Sequence, residues 1–148
     1  MVLDCGCGGG ANIKTLLKLC PKGKVQGIDY SAVSVEKARR VNAGAIAAGR
    51  CTVQQASVAE LPFEAEQFEV VTAFETVYFW PELVQNFREV YRVLKPGGVF
   101  FICNEASGET AKDDKWMQII NGMTIYTDTA LKAYLEQAGF CKIQSHKK

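Results

Sequence analysis

Residues 2–11 read Val-Leu-Asp-Cys-Gly-Cys-Gly-Gly-Gly-Ala, and this stretch decides the fold. Apolar residues lead into a turn dense in glycine, and apolar residues at helical spacing begin directly after it. The pattern predicts a strand, a tight loop and a helix, so that bare backbone and a helix N-terminus face a ligand. Asp4 precedes the first glycine by two residues. Its carboxylate would repel a pyrophosphate and attract a cation.

The glycine loop alone leaves other interpretations open. Gly6-x-Gly8-x-x-Ala11 also fits the dinucleotide fingerprint, and Asp29 stands near where that fingerprint places an acid for the ribose. The loop could equally be a turn that packs a helix on a sheet. Asp29 ends a predicted strand, and its carboxylate can accept hydrogen bonds from both hydroxyls of a ribose.

Composition bounds the class of protein. The 148 residues predict one domain, 48% of them are apolar, and the formal net charge is +1. This charge balance argues against a nucleic-acid partner, and the basic residues that end at Lys148 are expected to form a solvated tail. Six scattered cysteines and the single His146 do not fit a metal site, so reduced thiols in a cytoplasmic protein are predicted. We expect neither a signal peptide nor a membrane span.

Apolar runs of strand length alternate with helical patterns along the chain. This alternation predicts an α/β fold, in which helices cover both faces of a parallel sheet. The loops after four strands should then converge on one crevice at the carboxyl edge of the sheet. A turn is predicted at 95–98, followed by a strand that is covered on both faces. The predicted strands are 1–5, 25–29, 51–55, 68–74, 99–104 and 141–145, and the predicted helices are 12–20, 32–48, 83–94 and 129–138.

The residues that follow the strands are candidate ligand contacts. Tyr30 could lay its ring on a nucleobase or pack half-exposed. Ser57 could reach a base and the Val58 amide could bind a ring nitrogen, although an ordinary polar loop is the alternative. The aromatic-rich stretch Phe74–Pro81 could line a pocket or staple the next helix to the sheet. Glu75 is the carboxylate within it and could face a substrate or cap a turn.

Four segments, taken in order, resemble the class I S-adenosylmethionine-dependent methyltransferases of the small-molecule type. The match runs from Met1 to about residue 143 and favours this family over a nicotinamide-dependent oxidoreductase. The family most often has an acid where Ser57 stands, and usually Asp where Glu69 stands. The segments are residues 2–10 (VLDCGCGGG), residues 27–31 (GIDYS), LPF at 61–63 before FEVV at 68–71, and residues 92–98 (RVLKPGG).

The resemblance implies a doubly wound, Rossmann-like sheet in the order 3-2-1-4-5 plus a partial sixth strand, as one domain over residues 1–148. It implies S-adenosylmethionine as cofactor, with its ammonium on Asp4, its ribose on Asp29 and its adenine between Ser57 and Val58. The backbone near Phe74 would seat the methionine end. The implied cofactor-binding residues are Asp4, Gly6, Cys7, Gly8, Asp29, Tyr30, Ser57, Val58, Phe74 and Glu75.

Methyl transfer from a sulfonium is a direct displacement with a neutral leaving group, so alignment of the reactants is the default mechanism. Glu75 and Tyr78 are weak candidates for a general base, needed only where the acceptor must lose a proton. The acceptor is expected to be a small molecule, and neither nucleic acid nor a membrane is expected as partner.

The resemblance also implies that the sequence is a core fragment. Family members carry helices before the first strand and a seventh strand beside the fifth. A cofactor-binding module without turnover is therefore an alternative, and self-association through the incomplete edges is expected. Ser107–Tyr126 is predicted to form a short amphipathic helix, which either covers the cleft or packs against the sheet.

Overall fold

A parallel sheet forms the frame of the molecule. The computed structural model describes residues 1–147, where five strands are ordered β3-β2-β1-β4-β5. The central β1 pairs with β2 on one side and β4 on the other, with Val2 opposite Val25 and Val70. The predicted order 3-2-1-4-5 is confirmed. Lys148, part of the predicted tail, lies outside the described residues. The strands are β1 (Val2–Cys5), β2 (Val25–Asp29), β3 (Cys51–Gln55), β4 (Phe68–Phe74) and β5 (Leu94–Cys103).

Helices cover both faces of this sheet, as the alternating pattern predicts. Alternate residues of each strand enter different cores: Leu3 packs in one cluster with Phe87, whereas Val25 packs in the other with Ile13. A short 3-10 turn, Val77–Phe79, follows β4. The helices are α1 (Ala11–Leu19), α2 (Ala32–Val41), α3 (Ala43–Ala47), α4 (Leu83–Val93), α5 (Ala111–Ile119) and α6 (Asp128–Ala138).

The helix predicted over 32–48 is interrupted at Asn42. This side chain is buried, and its Nδ2 donates hydrogen bonds to the carbonyls of Gly10 and Ala38, both at 3.0 Å. A side chain that bonds to backbone groups competes with continuous helix. The break therefore ties α2 to the start of α1, beside the glycine loop.

The strand β5 differs from the prediction in two ways. The predicted turn at 95–98 lies within β5 as an irregularity, because pairing to β4 passes from Leu94 directly to Val99. Within residues 1–147, only one face of β5 is covered. On that face the Phe100 ring stacks on the Trp80 ring, with 6.2 Å between ring centroids. Val99 and Phe101 on the other face are 55% and 49% exposed. The apolar run wrongly predicted a strand covered on both faces, because α4 packs on only one face of this edge strand.

The sixth strand predicted at 141–145 is wrong. No residue from 141 to 147 is in a strand, and the chain there follows the left-handed Gly139, which ends α6. A strand needs a neighbour whose backbone groups pair with its own. Within residues 1–147, β5 pairs with β4 and no described strand lies beside 141–145. Ile143 instead packs against the core.

Candidate functional site

Three glycines of the loop between β1 and α1 have different physical requirements. Gly6 has φ +75°, and a Cβ there would lie 2.2 Å from Oγ1 of Thr76. Gly10 has φ +84°, and its Cβ would lie 2.8 Å from the Cα of Ala38. Gly8 has φ +50°, but no described atom lies within 4 Å of its Cβ position. Gly6 and Gly10 therefore permit close packing, whereas Gly8 borders open space.

The Asp29 carboxylate holds the glycine loop against the end of β2. Its Oδ2 accepts the Gly8 N–H at 2.9 Å, and its Oδ1 accepts the Ser31 N–H at 2.9 Å. Ser31 in turn caps α2 by accepting the Ser34 N–H at 3.3 Å. Because a carboxylate has about four lone-pair sites, both oxygens of Asp29 can accept further hydrogen bonds from a ligand.

Asp4 is buried on β1 directly before the loop. Its Oδ1 accepts a hydrogen bond from the Thr72 hydroxyl at 2.7 Å, and its Oδ2 has no partner among residues 1–147. Burial raises the pKa of Asp4 to about 6; the Thr72 bond lowers it and the nearby Asp29 charge raises it. An unpartnered buried carboxylate oxygen is costly, so this atom favours a cationic group or a water in its vicinity.

A cleft of about 490 Å³ lies at the carboxyl edge of the sheet, where the glycine loop, the end of β2 and the end of β4 converge. Most predicted contacts border it, whereas Asp4, Ser57, Val58 and Tyr78 are not among its lining residues. The lining side chains include two carboxylates and no Lys, Arg or His. The lining residues are Gly6, Cys7, Gly8, Gly9, Ala11, Asn12, Asp29, Tyr30, Ser31, Ser34, Phe74, Glu75, Thr76 and Phe79.

The loop after β3 lies beside the cleft. Its first residue, Ala56, donates its N–H to the Asp29 carbonyl at 3.0 Å. Ser57 is exposed, and its Oγ accepts the Ala59 N–H at 3.1 Å. Val58 is half-buried. Ala56 thus ties the start of this loop to Asp29, whereas Ser57 and Val58 do not form part of the cleft wall.

The end of β4 carries backbone strain. Glu75 has φ +55°, a left-handed conformation that costs a non-glycine residue roughly 1 kcal/mol. Its carboxylate accepts the Glu105 N–H. Tyr78 is buried, and its hydroxyl accepts the Ala106 N–H at 3.0 Å. Burial, with a smaller effect of Glu75, raises the pKa of Tyr78 to about 12, so the phenol stays protonated at neutral pH.

Seven lining residues were not among the predicted cofactor contacts, and Thr76 and Phe79 are two of them. Thr76 meets Gly6 across the β1–β4 boundary, and its Oγ1 accepts a hydrogen bond from the Trp80 indole at 3.3 Å. Phe79 is 46% exposed at the cleft. Both lie in the aromatic-rich stretch that the sequence indicated. Their individual roles could not be read there, because they depend on β1 and β4 being neighbours.

The segment 107–126 does not line the cleft. It forms α5, whose Trp116 and Ile119 are exposed, and it returns to the sheet where the Thr124 N–H donates to the Tyr78 carbonyl at 2.8 Å. The buried Ile125 follows directly. The cover over the cleft is therefore not observed; the end of the segment packs against the core through Tyr126, whereas Trp116 and Ile119 of α5 are exposed.

Other chemistry at the cleft is limited by burial. Cys7 lines the cleft, and burial with the nearby charges of Asp4 and Asp29 raises the pKa of its thiol to about 12, so it stays neutral.

In the described part of the chain, no three His, Cys, Asp or Glu side chains group together as metal ligands. None of the helices in residues 1–147 has the length and apolar character to cross a membrane.

Comparison with known proteins adds to this geometry. A family model described as a methyltransferase domain matches residues 3–102. The chain is 36% identical over 107 residues to the demethylmenaquinone methyltransferase of Symbiobacterium thermophilum, covering 72% of this chain and 42% of that protein. It is 32% identical over 101 residues to cycloartenol-C-24-methyltransferase 1 of Oryza sativa subsp. japonica, covering 68% of this chain and 29% of that protein.

The fold has a close counterpart among solved structures. A chain in the complex of the Trm112 methyltransferase activator from Haloferax volcanii superposes with a TM-score of 0.85 at 24% identity, covering 93% of this chain and 60% of that chain. At this identity the likeness shows the fold alone. The chain spans less than half the length of both curated relatives described above.

Proposed function

The chain belongs to the class I S-adenosylmethionine-dependent methyltransferases, and from this premise we propose that it binds S-adenosylmethionine in the cleft and transfers the methyl group to a small-molecule acceptor. The observation that carries the proposal is the charge of the cleft. Its lining includes Asp29 and Glu75 and no cationic side chain. A dinucleotide pyrophosphate would meet repulsion there, whereas a ligand with an ammonium and a sulfonium is attracted.

The residues present fit this ligand. The open space at Gly8 admits a chain against bare backbone, and the free lone pairs of Asp29 can accept the ribose hydroxyls. The unpartnered Oδ2 of Asp4 gives the ammonium a buried counter-charge, directly or through water. Tyr30, 78% exposed at the cleft, can stack on the base. The whole of residues 1–148 is proposed to be one cofactor-binding domain.

The remaining assigned contacts flank the two ends of the ligand. We assign the adenine to the loop at Ser57 and Val58, which starts beside Asp29. We assign the methionine end to Gly6, Cys7 and the backbone at Phe74 and Glu75, which line the cleft.

S-adenosylmethionine, when bound, supplies a methyl group on a positively charged sulfur, and the leaving thioether is neutral. The residues therefore need to align the reactants and exclude water more than to move protons. Tyr78 is unsuited to be a base, because its hydroxyl accepts the Ala106 N–H and its pKa is raised to about 12. Glu75 borders the cleft and is the remaining candidate for an acceptor that must lose a proton.

The acceptor is proposed to be a small apolar molecule rather than nucleic acid. The relatives described above are named for cycloartenol and demethylmenaquinone, and the net charge of +1 offers no basic surface. Phe79 adds an exposed aromatic ring at the cleft.

Calorimetric titration with S-adenosylhomocysteine tests the cofactor site. We expect micromolar binding, weakened about tenfold in Asp29→Asn, which keeps the size of the side chain but removes its charge and one acceptor oxygen. Asp114→Asn, an exposed carboxylate on α5, is the matched control and should bind as the parent does. A folded protein that binds a nicotinamide dinucleotide instead would overturn the proposal.

Transfer is tested by labelled S-adenosylmethionine with sterol and quinol acceptors. Label in the extracted acceptor would support the enzyme. Cofactor binding with no transfer to any acceptor would favour the alternative of a binding module.

A further inference from the structure

We infer that Glu89 and Arg92 of α4 are positioning residues, which hold the loop at Ser57–Glu60 in the orientation that contacts the adenine of the cofactor. This inference rests on the proposed function, because the adenine is assigned to that loop there. Neither side chain borders the cleft. They are proposed to act through the turn Leu61–Phe63.

The two side chains form a clasp around this turn. Arg92 binds Glu89 through Nε to Oε1 at 2.8 Å and through Nη2 to Oε2 at 3.0 Å. The same guanidinium donates to the carbonyl of Phe63 at 2.8 Å and to that of Leu61 at 3.0 Å. Oε2 of Glu89 accepts the Leu61 N–H at 2.8 Å. The ion pair therefore binds the backbone at both ends of the turn, at Leu61 and at Phe63, through charge-assisted hydrogen bonds.

The opposite end of the loop is fixed at the cleft itself. Ala56 donates its N–H to the Asp29 carbonyl at 3.0 Å, and Nε2 of Gln55 donates to the Tyr30 carbonyl at 2.8 Å. Asp29 and Tyr30 both line the cleft. Residues 57–60 thus span the short distance between the cleft wall and the clasp.

Local bonds within the loop are weak by comparison. The Glu60 N–H donates to the Ser57 carbonyl at 3.3 Å, and the Ala59 N–H donates to the Ser57 hydroxyl at 3.1 Å in an exposed setting. Such a turn keeps one orientation only if both of its ends are held. The Val58 amide is then pre-oriented toward a base, and the ligand need not order the loop on binding.

Electrostatics favours the ionised clasp. The Arg92 guanidinium lowers the pKa of Glu89, and Glu89 raises the pKa of Arg92. Packing alone would also keep the turn near the core, since Leu61 is buried and the Phe63 ring contacts the Phe68 ring at 5.0 Å between centroids. The clasp is therefore proposed to set the orientation of residues 57–60 toward the base. A comparison of affinities for two ligands with different bases can separate this effect from an effect on the free energy of unfolding.

The test compares binding of S-adenosylhomocysteine and S-inosylhomocysteine by calorimetry. The inosyl base carries a proton on the ring nitrogen that adenine offers as acceptor, so a correctly oriented Val58 N–H should disfavour it. We expect the parent protein to prefer the adenosyl ligand by about tenfold. In Arg92→Met the preference should fall to about twofold or less, mainly because adenosyl binding weakens. Arg88→Met, on the same helix and without a hydrogen bond in the described structure, should keep the parental preference.

Glu89→Gln and Arg92→Lys make the same comparison if Arg92→Met does not fold. Lysine retains the charge but cannot hold two carbonyls and a carboxylate in one planar fork, so Arg92→Lys should also lose selectivity. Variants that melt at lower temperature yet keep the full preference would overturn the inference, as would a parent protein that binds both ligands equally. A folded parent that binds neither ligand would overturn the proposed function, and the inference with it.

Discussion

The Asp29 side chain holds two loops of the proposed site in place and is also a proposed contact for the ligand. Its two oxygens hold the amides of Gly8 and Ser31, so it fixes the loop after β1 and the start of α2 together. Removing the whole carboxylate would disturb those loops as well as any ligand. Asp29→Asn keeps the size of the side chain and one acceptor oxygen, so it disturbs these loops less than truncation to alanine, but its amide NH2 cannot accept the N–H of Gly8 or of Ser31 that faces it. The free energy of unfolding of Asp29→Asn is therefore measured beside its ligand affinity.

Gly6 and Gly8 should respond differently to alanine. Gly6→Ala places a methyl group 2.2 Å from the Thr76 hydroxyl at φ +75°, so we expect a loss of about 2–4 kcal/mol in the free energy of unfolding. Gly8→Ala meets no described atom and should cost about 1 kcal/mol of stability through its φ, while binding of S-adenosylhomocysteine falls at least tenfold. Urea unfolding and calorimetry measure the two effects.

Gly44→Ala is the control for these substitutions. Gly44 lies within α3, has open space around its Cβ position and has no positive φ, so alanine should leave stability equal or raise it by about 0.5–1 kcal/mol. Equal losses of stability at Gly6 and Gly8 would contradict the different requirements assigned to them.

Asp4 should link stability and binding to pH. Its pKa is raised from 3.8 to about 6, mainly by burial, so the folded state favours the protonated form. This contribution to stability is complete below about pH 4 and is lost as pH rises through 6, by about 3 kcal/mol in total. The ammonium of the ligand requires the ionised form of Asp4 as its counter-charge, so affinity for S-adenosylhomocysteine should rise over the same range.

Comparison with Asp4→Asn isolates this residue from the other titrating groups. We expect the difference in unfolding free energy between parent and variant, measured in urea from pH 4 to pH 7.5, to change between about pH 4 and pH 6 and to level off above that. The variant should also lose the rise in ligand affinity. A difference that is the same at every pH would show that Asp4 does not titrate in this range.

At the scale of the elements, side chains from distant segments complete the ends of helices. Asn42 joins α2 to the glycine loop, and Arg50 performs a similar role at the end of α1. Nη2 of Arg50 donates to the carbonyls of Leu17 and Cys20 at 3.1 and 2.8 Å. Helix ends leave carbonyls without partners inside the helix, and a guanidinium satisfies several of them at once.

Arg50→Met should therefore lower the free energy of unfolding by about 1–2 kcal/mol, a moderate value because the guanidinium is partly exposed. Arg40→Met, an exposed arginine on α2 with no hydrogen bond in the described structure, should change stability by less than about 0.5 kcal/mol. Urea unfolding of both variants checks the contrast. Similar small effects would mean that water replaces the Arg50 contacts at no cost.

For the molecule as a whole, the distinctive feature is the edge strand β5. Within residues 1–147 it pairs with β4 alone, and Val99, Phe101 and Cys103 lie exposed on one face. Edge strands with apolar residues and free backbone groups tend to pair with another chain. The self-association expected from the sequence stays a prediction. The exposed face of β5 is the surface where it is expected to occur.

Sedimentation at several concentrations under reducing conditions measures that association. We expect the average mass of the parent protein to rise with concentration, and Phe101→Lys to suppress the rise because it places a charge on the exposed face. Leu19→Lys, at a residue 76% exposed at the end of α1, should behave as the parent does. A parent protein that is monomeric throughout would refute the prediction.

The local sequence was sufficient for much of the fold. The strands β2, β3 and β4 begin and end where the pattern places them, and the side chains of Ser31 and Thr127 cap the helices that follow them in sequence. The glycine loop and Asp29 were likewise identified from the residues alone. These features depend on short-range causes: the alternation of side chains in a strand, hydrogen bonds to nearby amides, and the positive φ that glycine permits.

Tertiary structure alone decided the rest. Four features depend on which elements are neighbours in space. They are the exposure of Phe101, the absence of the predicted strand at 141–145, the contact of Thr76 with Gly6, and the hydrogen bond from Arg92 to the Leu61 carbonyl. An apolar run looks the same whether one or both of its faces are covered. The sequence by itself determined the elements and the chemistry at their ends; burial and long-range hydrogen bonds, which exist only after the chain has packed, determined which residues face the cleft.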